Sequence, residues 1–140
     1  MGKLHDFTVK HNRFVMDLEN VIKTIITDND DLLNLNREQL KEEHKTAKDQ
    51  FISPEYSYFT RQIKGFKIPD LYDTGAMFEA MKLRKSRDGF IITSMVKYTA
   101  DLTEKYGSDI FGIAPSKQGK AKQITTTELA KQYKSVCYSQ

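Results

Sequence analysis

"LYDTGAMFEAMKLRKSRDGFIITS", residues 71–94, is the stretch that decides the fold of this chain. Asp73, Thr74 and Gly75 make a structural turn sequence. Asp and Thr side chains bond to nearby backbone N–H groups, and Gly75 allows positive φ or a close approach. Such a turn starts the strand or helix that follows it. Met77, Met81 and Leu83 then fall mostly on one side of an alternation, and Asp88-Gly89 is a hairpin signal ahead of "FIITS". The stretch predicts two antiparallel strands, although 76–83 alone also reads as a helical turn.

Helical patterns flank this hairpin. From about Val9 to Thr27, Phe14, Leu18, Val21, Ile22 and Ile25 recur at spacings of three and four, the mark of a one-faced helix. It ends at the acidic turn "TDNDD" (27–31). Asn36 followed by Gln39 reads as a capping box for a short second helix through "REQLKEEHK", with Leu40 as its apolar anchor. Residues 51–70, "FISPEYSYFTRQIKGFKIPD", hold two prolines, one glycine and several aromatics without clean periodicity, which predicts an extended connector. Connectors of that length are often functional. "YTADLTEKYG" (98–107) reads as a short helix ended by Gly107, and "DIFGIAP" (109–115) as a tight apolar loop. "TTTELAKQYKS" (125–135) reads as a last helix with Thr125 or Thr126 as N-cap. The expected fold is α+β in a single domain, 1–140. Its helical part (9–45) packs on a small antiparallel sheet (71–114), with the long connector at 51–70 and the C-terminal helix at 125–135.

Composition bounds the function. With 39% hydrophobic and 29% charged residues among 140, plus seven Tyr and eight Phe, the chain can bury one core. A net charge of +3 does not by itself call for a nucleic-acid partner. Cys137 is the sole cysteine, so no internal disulfide forms. The scattered His5, His11 and His44 make no zinc set with it, and neither a metal nor a cofactor is expected. No apolar run approaches the roughly 18 residues of a membrane span, so no membrane partner is expected. The start "MGKLHDFTVK" lacks a secretory core, and Asp6 stands where a myristoylation signal wants Ser or Thr. Synthesis inside the cell is the expectation. Residues 17–43 carry eight acids and three bases, while 115–140 carry five lysines and one glutamate. That asymmetry suits head-to-tail self-association, and two ordinary solvated faces would give the same pattern.

Leu71 to Ala76 looks like the active-site signature of retroviral-type aspartic proteases, in which two such turns meet across a dimer axis and share a proton. Asp73 would be the carboxylate each chain supplies. That reading requires an all-β barrel with a Gly-rich flap, and the helical first third does not belong in one.

A longer ordered set runs Ser53-Pro54, Tyr58, Thr60-Arg61, Lys64-Gly65, Leu71, Asp73-Thr74-Gly75 and Phe78, then a hairpin. It resembles the centre of the tailed-phage virion morphogenesis proteins, the tail-completion and neck proteins. Tyr98 to Ala100, Gly107, Phe111-Gly112-Ile113 and the helix from about Thr125 stand where that family has a Tyr-Ala segment, a Gly, an "FLG"-like loop and a C-terminal helix. The resemblance covers about residues 51–135. It departs before the apolar loop, where family members carry His-x-Gly and Pro-Ala-Arg and this chain has "EKYGSDIFG".

The resemblance implies a non-enzymatic structural subunit of a phage neck, head–tail connector or tail-completion ring. Twelve copies are favoured over six, with connector, portal or tail proteins as neighbours. The protein would be made in the host bacterial cytoplasm and end in the virion. Phe111 and Ile113 are candidate apolar anchors of the subunit interface, and Arg61, Lys64 and Lys67 its candidate cations. Lys82, Arg84, Lys85 and Arg87 either face a lumen through which DNA passes, with non-specific, salt-dependent phosphate contact, or bond to acidic neighbours. Two rivals stay open: a dimeric aspartic protease using Asp73, and a small basic DNA-binding protein.

Overall fold

The computed structural model describes residues 3–27, 29–86 and 89–138, with backbone alone at 27, 85, 86 and 89. The fold is α+β: helices around a two-stranded antiparallel sheet, closed by a C-terminal helix. The helix expected over 9–27 is two, α1 (Lys3–Met16) and α2 (Leu18–Thr27). They follow each other across Asp17, whose N–H bonds the Arg13 carbonyl and whose own carbonyl accepts from Val21 N–H, both at 3.0 Å. The apolar stripe of this pair faces α7 (Gln118–Cys137). Tyr133 meets the rings of Phe14 and His11 edge-on at 5.3 and 5.6 Å, and Tyr138 lies 5.2 Å from Phe7. The start of α1 thus lies against the end of α7, an antiparallel pairing.

Helix α3 (Asp30–Lys41) begins well before the expected capping box. Asn29 caps it, its Oδ1 accepting from Asp31 N–H at 2.9 Å. Asn36 and Gln39 lie inside the helix on its buried face, beside Leu32, Leu33 and Leu40. The correction has a simple cause: the spacing of three that marks a capping box also puts two residues on one face of a helix.

The connector is not wholly extended, a second correction. Residues Tyr58–Lys64 form α4, with Ser57 Oγ accepting from Thr60 N–H at 3.3 Å and Gly65 N–H closing onto the Arg61 carbonyl at 2.8 Å. Aromatics crowd this short helix and obscure its period in the sequence.

In the deciding stretch, Ala76–Glu79 form one helical turn, α5, before strands β1 (Met81–Ser86) and β2 (Gly89–Ser94). Pairing runs from Met81 opposite Ser94 to Ser86 opposite Gly89. Of the turn signal, Asp88 lies outside the described residues. Helix α6 (Thr99–Tyr106) ends at Gly107 as expected. The last helix starts at Gln118, so the expected cap at Thr125 or Thr126 is corrected: Thr125 Oγ1 donates to the Ala121 carbonyl inside α7. A 3₁₀ turn at Pro115–Lys117 leads into this helix. Nearby, Lys117 Nζ holds Glu43 Oε1 at 2.9 Å and joins the basic tail to the acidic stretch within one chain.

Leu33, Leu40, Ile52, Met77, Phe78, Met81 and Ile110 make the core, with Leu83, Ile92, Leu102 and Phe111 packed against it. Each fully buried member contributes about 1.5–3 kcal/mol. Among the described residues, no helix is long and apolar enough to cross a membrane.

Candidate interaction surfaces

Phe111 and Ile113 lie in the loop between two 3₁₀ turns, Ser108–Ile110 and Pro115–Lys117, and side-chain amides hold that loop. Asn36 Nδ2 donates to the Ile110 carbonyl at 3.1 Å, and Gly112 N–H donates to Asn36 Oδ1 at 3.0 Å. Gln39 repeats the pattern one turn on. Its Nε2 donates to the Gly112 carbonyl at 3.1 Å, and Ala114 N–H donates to its Oε1 at 2.8 Å. A carboxamide presents the same donor and acceptor pair as a peptide group, so α3 reads the loop as a neighbouring strand would. Ala47 N–H donates to the Asp109 carbonyl at 2.7 Å on the other side, and Ser116 Oγ donates to Asp49 Oδ1 at 2.7 Å. The Ser116 hydroxyl and N–H hold the Asp49 carboxyl below its usual range. Gly112 sits at φ +134° so close to Ala47 that an added Cβ would meet that residue's Cβ at 2.8 Å.

This clamp buries Ile110 and Ala114 and leaves Phe111 and Ile113 half-buried. They line a groove of about 790 Å³ between the hairpin (Leu83, Phe90, Ile92) and the first turns of α7 (Ala121, Thr125). Both sequence-derived apolar anchors therefore stand in one concave apolar surface.

The second surface is the exposed face of α4. Tyr58, Phe59 and Ile63 on α4 are 73%, 80% and 83% exposed, large apolar side chains that none of the described residues covers. Sequence reading missed them because the segment looked aperiodic. The signal was there: Phe59 and Ile63 keep the four-residue step of a helix face, between a Ser cap and a Gly stop. A network around Asp70 fixes α4. Its Oδ1 accepts from Tyr56 Oη at 2.8 Å, Lys64 Nζ at 2.9 Å and Tyr72 N–H at 3.1 Å. Lys64 also bonds the Tyr72 carbonyl. The Tyr56 oxygen accepts from Asp70 and Leu71 N–H at 3.2 and 3.3 Å, which holds Leu71 at φ +58°. Burial raises the Asp70 carboxyl, but Lys64, Tyr56 and the Tyr72 amide outweigh it and hold the carboxyl below its usual range. Burial, together with the Asp70 hydrogen bond, pushes the Tyr56 hydroxyl up to about 12.

The three candidate cations therefore separate. Lys64 is turned inward onto Asp70, while Arg61 and Lys67 share Glu55 at 3.5 and 3.8 Å on the surface. Lys82 and Arg84 are exposed on one face of the hairpin, and Arg84 Nη2 reaches Met95 Sδ at 3.0 Å. Lys85 pairs along the backbone with Phe90, its side chain outside the description, and Arg87 lies outside the described residues. In the Asp73-Thr74-Gly75 turn, Thr74 Oγ1 accepts from Ala76 N–H at 3.3 Å, and Gly75 at φ +85° lies against the Tyr72 ring. Asp73 is exposed at the start of a helix; the proton-sharing geometry of an aspartic protease needs it in a sheet barrel, facing its twin.

Fold and surfaces define a small α+β protein with an apolar groove and an exposed apolar helix face. No family model, curated protein or solved structure matches the chain.

Proposed function

We propose that this chain is a structural, non-enzymatic subunit of a tailed-phage neck, head–tail connector or tail-completion ring. The uncovered face of α4 carries the reading: an apolar patch of this kind marks a surface built to be covered by protein. The ordered set from Ser53-Pro54 to Phe78 and the Phe111-Gly112-Ile113 loop supply the family likeness. The amide clamp adds a mechanical argument, because a loop fixed by four hydrogen bonds presents its side chains without an ordering cost on assembly. Exposed Lys82 and Arg84 suit either a lumen wall or an acidic neighbour.

The test is to purify virions from cells carrying this gene, quantify the chain by mass spectrometry and locate it with gold-labelled antibody. A fixed copy number at the head–tail junction is expected. Particles complete and infectious without the chain would overturn the reading.

A further inference from the structure

The sheet has two strands, so among the described residues each strand has one edge without a strand partner. The surroundings of the two strands differ. β1 packs against α2 and α3. Beside β2 lies the groove of about 790 Å³, whose lining takes in four consecutive residues, Phe90, Ile91, Ile92 and Thr93. Successive side chains of a strand point to opposite faces, so a surface that reaches all four reaches the strand's edge.

The register says which backbone groups that edge offers. Met95 N–H donates to the Ala80 carbonyl at 3.1 Å and extends the ladder one pair past Met81 opposite Ser94. Bonded and non-bonded pairs alternate in an antiparallel ladder. Counting back by twos from Met95, Thr93 and Ile91 exchange bonds with β1, while Ser94, Ile92 and Phe90 turn their N–H and C=O groups outward. The Ser94 carbonyl accepts from Thr99 Oγ1 at 3.1 Å. Among the described residues, no other element takes up the outward groups of Ile92 and Phe90. Phe90-Ile91-Ile92-Thr93 also holds no charge and no proline, the usual guards of an open strand edge.

We infer that β2 takes up an extended segment of a partner protein as a third strand, laid between β2 and α7. The segment's backbone bonds the outward groups of Phe90 and Ile92, and its alternate side chains enter the groove beside Leu83, Phe111 and Ile113. Exposed Lys122 is the only ionisable side chain in the groove lining, and it selects a carboxylate on the segment. The partner strand therefore alternates apolar residues and carries an acid. Strand β2 of a second copy has no carboxylate to offer. The inference goes beyond the phage reading and does not need it.

The probes are synthetic peptides of alternating Val and Thr, with one Glu stepped through the positions. Two further sets are N-methylated at every second residue, one set in each register. Hydrogen exchange by NMR on the full chain reads the edge residue by residue. In the free protein the Phe90 and Ile92 amides are expected to exchange about 10-fold or more faster than those of Ile91 and Thr93. The best unmethylated peptide is expected to slow them to match. Methylation in one register should abolish that protection, because those amides face β2, and methylation in the other should leave it. Lys122→Glu, an exposed change checked by thermal melts, is expected to bind the Glu peptide about 10-fold more weakly and to prefer the same peptide with Lys in its place. Phe90 and Ile92 amides already protected in the free, dilute protein overturn the inference. Protection that appears only as protein concentration rises means that a second copy pairs there, and overturns the partner strand as well. No slowing by any peptide, slowing indifferent to the methylation register, or a Lys122→Glu chain that binds the Glu peptide unchanged would each do the same.

Discussion

Loop 109–114 and segment 65–73 are both irregular backbone, yet opposite chemistries fix them. Two neutral amides on α3 pair with the first as a strand would, at full burial. A buried carboxylate shared by a lysine, a tyrosine and a backbone amide anchors the second. The neutral clamp carries no charge to titrate and none for salt to screen, so it makes a support indifferent to pH and ionic strength. The charged node gains from Coulomb attraction but depends on protonation. The groove stands on the first kind of support and α4 on the second.

The largest effect should come from the clamp. Gln39→Ala strips the partners from the Gly112 carbonyl and Ala114 N–H and opens a hole in the core, at a cost of about 3–5 kcal/mol. Urea unfolding measures it, and a loss below about 1 kcal/mol would break the comparison. Next comes Gly112→Ala, where the new methyl meets Ala47 and the backbone is strained, at about 2–3 kcal/mol by the same assay.

The node should yield less and reveal itself through pH. Asp70 has a folded pKa below its unfolded value, so its stabilisation is complete above about pH 4 and is lost as pH falls through the lowered value. Tyr56 has a raised one, so its contribution is complete below about pH 10 and is lost as pH rises toward about 12. Asp70→Asn should cost about 1–3 kcal/mol at neutral pH and flatten the acid limb of the stability profile. Tyr56→Phe should flatten the alkaline limb, and Gln39→Ala should leave both limbs unchanged in shape. The smallest effect belongs to Asp73→Asn: an exposed side chain, with a change within about 0.5 kcal/mol and unaltered oligomer mass.

What the sequence made legible follows from locality. The hairpin, the Gly107 stop, the Thr74-Gly75 turn and the presence of a C-terminal helix depend on residues a few positions apart, and all appear in the structure. Asn36 and Gln39 were noticed but misassigned, since their partners lie 73 to 76 positions away and a local rule explains the same spacing. The exposed face of α4 was missed for a related reason: exposure is a property of the whole fold, and Tyr58, Phe59 and Ile63 look like core residues until the core is seen to form without them. Lys64 shows the same limit. It reads like Arg61 and Lys67, and only the position of Asp70 turns it inward.

One measurement bears most directly on the claim that this chain works by meeting copies of itself: its light-scattering mass after size exclusion over a wide concentration range, with negative-stain images of the heaviest peak. The account predicts masses at multiples of 16.2 kDa that end in closed rings. A single species of 16.2 kDa at every concentration would contradict it.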